Sequence, residues 1–130
     1  NVTKFEKKFA KFTNSRFAVG VSNATSALLL SLKAIDIQKG DEVIIPDMTF
    51  IATASAVILS GATPVLADIK RDDLTLMPES VEKCINSKTK AILPVHFAGF
   101  PCDMKRIKIH CRRVQTNQQG ILNDYPTRDP

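Results

Sequence analysis

Glu42-Val43-Ile44-Ile45-Pro46, the alanine-rich stretch from Thr49 to Ser60, Gly61, and Thr63-Pro64-Val65-Leu66-Ala67-Asp68 together decide the fold class. The first run is near-continuously apolar after Glu42 and stops at a proline, which has no N–H to give a ladder; it predicts a strand. The middle stretch is long enough for a helix, and Gly61 sits where a helix would end. The last run predicts a second strand. A strand, a helix and a strand joined by short connections make a crossover unit, and apolar runs with no polar alternation are what parallel strands covered on both faces require.

The same rhythm extends outward. Upstream, Phe17-Ala18-Val19-Gly20-Val21 predicts a buried strand, Ser22-Asn23-Ala24-Thr25-Ser26 a helix start, and Ala27 to Ala34 an apolar helix ending near Asp36. Ahead of it, Phe5, Phe9 and Phe12 share one helical face between Thr3 and Phe12, with Lys4, Lys7, Lys8 and Lys11 on the others. Downstream, Pro78 opens a helix over Glu79 to Ile85, and Thr89-Lys90-Ala91-Ile92-Leu93-Pro94-Val95 predicts a fourth strand. The fold class is therefore α/β, a mainly parallel sheet with helices on both faces. After about Met104 the hydrophobic period weakens. Residues 105–130 read as a divergent basic tail, and 123–130 as turn-rich.

Composition narrows the function. Of the net charge of +5, residues 1–101 carry 12 basic and 10 acidic side chains, and the remaining excess lies in the last stretch of chain. That distribution predicts a solvated tail rather than a phosphate-binding arm, hence no nucleic-acid partner. No apolar run suits a membrane span, so no membrane partner is expected. Three cysteines, Cys84, Cys102 and Cys111, are odd in number and lack CxxC spacing, which fits a reducing, cytoplasmic compartment. Cys102, His110 and Cys111 lack a fourth ligand for a tetrahedral metal.

Three places could carry chemistry, each after a predicted strand, where open α/β sheets gather ligands. At Ser22–Ser26 the unpaired N–H groups and positive dipole of a helix start suit a phosphate, with Thr25 and Ser26 hydroxyls as added donors; the same residues are also ordinary N-caps. In Pro46-Asp47-Met48-Thr49-Phe50, Phe50 suits stacking on a planar ring and equally suits a core position. In Pro94-Val95-His96-Phe97, His96 can face the same crevice or serve structure alone.

Taken together, residues 4–104 resemble the DegT/DnrJ/EryC1/StrS family of pyridoxal-phosphate-dependent sugar aminotransferases. The likeness runs through Phe5–Ala10, Ala18–Leu28, Lys39–Pro46, Met48–Ala54, Gly61–Val65, Thr89–His96, Gly99, Pro101 and Asp103-Met104. It implies the large domain of a fold-type I transferase, a homodimer when complete. It also implies nucleotide-linked keto-sugars as substrates, glutamate as amino donor, and a place in polysaccharide or amino-sugar biosynthesis. By the same likeness Thr25 and Ser26 match the phosphate-holding positions of pyridoxal 5'-phosphate, Phe50 the stacking aromatic, and His96 a conspicuous motif position. Ala24 stands where the family usually has glycine. The family's aspartate for the pyridine nitrogen and its Schiff-base lysine have no counterpart here: Asp124 lacks the strand-end setting, and Lys105 and Lys108 come too early. The resemblance thus implies an N-terminal fragment, inactive alone, with residues beyond about 110 read as out-of-frame translation.

Overall fold

Val43, Ile44 and Ile45 point alternately to opposite sides of one strand, and all three are sealed from solvent, so that strand must be covered twice. The computed structural model describes residues 1–117, with side chains through Cys111. The tail beyond, including Asp124 and the turn-rich stretch expected over 123–130, lies outside the described residues. The elements are α1 (Val2–Phe12), α2 (Ala24–Ala34), β1 (Glu42–Pro46), α3 (Ala52–Ser60), β2 (Thr63–Ala67), α4 (Pro78–Cys84), β3 (Thr89–Ile92) and α5 (Met104–Asn117). The sheet is parallel, in the order β2-β1-β3.

The two faces of β1 sort the core into two clusters. Val43 and Ile45 pack with Leu32, Ile37, Ala56, Val57 and Ala62 from the side carrying α2 and α3. Ile44 packs with Ala67, Leu76, Val81, Cys102 and Ile107 from the side carrying α4 and α5. β3 and the residue after it divide the same way, Ala91 and Leu93 against the first cluster and Ile92 against the second. This is the doubly covered sheet that apolar strands without alternation demand. Arg106 of α5 also donates to Glu79 of α4 at 2.6 Å. That bond holds the Glu79 carboxyl below its ordinary pKa, so the tie is complete at neutral pH and weakens as acid protonates it.

Local signals fix the helix ends. The Asn23 side chain accepts from the Ser26 N–H at 2.8 Å, making the N-cap of α2. Pro78 occupies the first turn of α4. Gly61 closes α3 with φ +100, a left-handed conformation that a Cβ would strain.

Phe17–Val21 does not form the expected strand. It has no regular secondary structure and is largely exposed, with Phe17 at 75% and Val19 at 78% of full accessibility. No neighbouring backbone among the described residues pairs with it; the Gly20 N–H turns instead to the Glu6 carboxylate at 2.7 Å. Hydrophobicity marks a segment suited to burial, but a strand also needs a ladder partner. The described residues form three strands, not four. β3 also ends sooner than expected, at Ile92, although the Leu93 N–H still bonds to the Ile44 carbonyl. The aromatic face of α1 is likewise uncovered: Phe5 and Phe9 stack on each other at 5.6 Å and, with Phe12, stay exposed.

Candidate functional site

Because β1 and β3 run parallel, the loops leaving their C-terminal ends emerge on the same edge of the sheet. The loop after β1 carries Thr49 and Phe50, and the loop after β3 carries Val95, His96, Phe97 and Ala98. The start of α2 meets them there. Together these segments line a cavity of about 360 Å³, with Ala24, Thr25, Leu28, Ala52 and Thr53 completing the wall. The crevice position follows from the sheet's polarity alone.

Three of the four residues singled out from sequence come together on this cavity: Thr25, Phe50 and His96. Ser26 does not line it. Its hydroxyl lies 3.3 Å from that of Ser22, and its N–H is taken by Asn23. The Ala27 N–H bonds to the Asn23 carbonyl. Of the first turn of α2, the residues presented to the cavity are thus Ala24 and Thr25, at the positive end of an eleven-residue helix.

Phe50 stands 77% accessible at the rim, so in this chain it is not a core phenylalanine. A flat apolar face held open beside helix-start donors suits a planar ring bearing a phosphate. His96 has a defined protonation pattern. Its Nδ1 accepts the Cys102 N–H at 3.1 Å, so in the neutral ring the proton sits on Nε2. The loop turns back sharply to allow this, with Ala98 at φ 49 and Gly99 at φ 85. A left-handed alanine costs roughly 1–2 kcal/mol, and such strain persists where surrounding bonds over-determine it.

Sequence reasoning passed over Thr49 and Thr53, whose hydroxyls lie 2.9 Å apart on the cavity wall. Their spacing of four at a helix start was the available signal. Among the described residues no lysine, arginine, aspartate or glutamate lines the cavity. Burial pushes the Cys84 and Cys111 thiols up, away from the reactive thiolate. Among the described residues no group of three His, Cys, Asp or Glu side chains is placed to hold a metal. None of the described helices is long and apolar enough to cross a membrane.

Solved structures similar to this chain include an aminotransferase. S. venezuelae DesV is 43% identical and superposes with a TM-score of 0.84, covering 86% of this chain and 30% of DesV. The aminotransferase from Psychrobacter cryohalolentis is 41% identical with a TM-score of 0.85, covering 88% of this chain and 29% of its own. NtdA from Bacillus subtilis, with bound cofactor PMP, is 35% identical with a TM-score of 0.85, covering 88% and 26%. This chain therefore spans less than a third of the length of each. The α/β architecture is part of the fold-type I transferase large domain. With a family model matching residues 1–117, the chain belongs to the DegT/DnrJ/EryC1/StrS aminotransferase family.

Proposed function

We propose that this chain is the cofactor-cradling part of a pyridoxal-phosphate-dependent aminotransferase. The complete enzyme works as a cytoplasmic homodimer and transfers an amino group from glutamate to a nucleotide-linked keto-sugar. The observation that carries the proposal is the convergence of Thr25, Phe50 and His96 on one cavity at the sheet's C-terminal edge. The donor set suits the cofactor: helix-start amides and the Thr25 hydroxyl for phosphate, Phe50 for the ring face, and a His96 N–H for a ring or phosphate oxygen. PMP bound in NtdA supports this reading. Pyridoxal phosphate supplies an electron sink when bound. This chain's residues hold and orient it, while Leu28, Ala52 and Val95 keep part of the wall apolar. Ser26 supports the turn rather than touching the ligand.

Turnover also needs an amine to move the proton between substrate and cofactor carbons and an acid to keep the ring nitrogen protonated. The cavity wall supplies neither. The 130-residue chain alone is therefore proposed to bind without transaminating. Titrating it with pyridoxal phosphate, with absorbance read before and after borohydride, is expected to show weak binding and no single trapped lysine. A specific reduced adduct on one lysine would overturn the claim of inactivity, and no binding at all would overturn the cofactor site.

A second reading is favoured by the uncovered aromatics of α1. In it the chain is a non-catalytic remnant that docks on a full-length paralogue. Co-purification with that paralogue, lost on replacing Phe5 and Phe9 by serine, separates this reading from the first.

A further inference from the structure

We propose that Cys102 is a positioning residue: it clasps the His96 loop so that the imidazole presents Nε2–H to an oxygen acceptor in the cavity. Cys102 is buried, and it holds the loop at two points. Its N–H donates to His96 Nδ1 at 3.1 Å, and its thiol donates to the Val95 carbonyl, also at 3.1 Å. The two acceptors belong to consecutive residues, so the clasp fixes both the ring and the backbone that carries it.

The closure is needed because the intervening turn is unfavourable in isolation. Ala98 and Gly99 are both left-handed, and the turn's own bonds are Gly99 N–H to the His96 carbonyl and Phe100 N–H to the Phe97 carbonyl. Those bonds close the turn without orienting the imidazole. Among the described residues only the Cys102 amide bonds to it, and that amide stays in place because the thiol is seated in the cluster with Ile44, Val81 and Ile107. With Nδ1 accepting the Cys102 N–H, the neutral ring carries its proton on Nε2, which is then the donor. His96 is exposed and lines the cavity, so the donor is available to a ligand. A bound oxygen, whether on phosphate or on a ring, is the matching acceptor. This ligand side rests on the cofactor reading above; the clasp itself does not.

The test is the trans-hydrogen-bond coupling between the Cys102 amide nitrogen and His96 Nδ1. It is measured by nuclear magnetic resonance on the full chain without ligand, with His110→Gln assigning the two histidines. The coupling is expected in the parent, lost in Cys102→Ala, and restored in Cys102→Ser, whose hydroxyl can still donate to the Val95 carbonyl. The amide spectrum of each variant reports whether it is folded. Absence of the coupling in the parent, or its persistence undiminished in a folded Cys102→Ala, would overturn the clasp. Pyridoxal phosphate is then titrated into parent and Cys102→Ala. Binding that weakens only in the variant supports the whole proposal. No binding by a parent with the coupling intact leaves the clasp standing and removes the cofactor reading.

Discussion

Replacing Ile45 with aspartate is expected to abolish the cooperative unfolding transition of this chain. Ile45 is 1% accessible and packs between Leu32, Ala56 and Val57, in a strand paired on both sides. Losing its burial forfeits roughly 1.5–3 kcal/mol. Placing an unpaired carboxylate there adds several more, or forces it to stay protonated at neutral pH. Domains are stable by only about 5–15 kcal/mol, so one substitution of this kind consumes most of the margin. Ile45→Val, which leaves a small cavity, should cost about 0.5–1.5 kcal/mol and keep the transition. Urea melts followed by circular dichroism decide the matter. An aspartate variant melting beside its parent would show that β1 is not the centre of the sheet.

The second large effect falls on binding and spares stability. Phe50 is exposed at the cavity rim, so Phe50→Ala removes little burial and should leave the melting transition nearly where it was. Affinity for pyridoxal phosphate should instead fall about tenfold, because a stacked aromatic pair contributes up to roughly 1.5 kcal/mol beyond its buried area. Phe50→Tyr keeps the ring face and should keep most of the affinity. The readout is fluorescence or absorbance titration of the three forms. Equal affinity for parent and alanine variant would mean that the ring of Phe50 does not meet the cofactor.

The strands that were legible in the sequence had two independent marks. Glu42–Pro46 was both apolar and stopped by proline, and Thr63–Ala67 was set off by Gly61. Phe17–Val21 had hydrophobicity alone, and hydrophobicity is silent on whether a ladder partner lies nearby. The site was legible to the extent that sheet polarity determined it. Strand ends locate Phe50 and His96 together, whereas Thr25 follows no strand and was marked only by its helix start. Ser26 lies off the cavity for a local reason: one residue along a helix start turns the side chain by about 100°, and here its amide is used by the cap. The bond from Cys102 to His96 was not legible, since it depends on a left-handed Ala98 that no propensity favours.

The order β2-β1-β3 also sets an order of assembly. Thr63 lies 21 positions after its partner Glu42, and Thr89 lies 47 positions after it. Loop-closure entropy makes the longer join dearer by about 0.7 kcal/mol, on top of needing the shorter one's surface to pack against. β1 and β2 thus zip early around α3, and β3 arrives afterwards. The wall bearing Thr49, Phe50 and Thr53 is in place first. His96 follows β3, the later of the two partners to reach β1, so that wall precedes the one bearing His96.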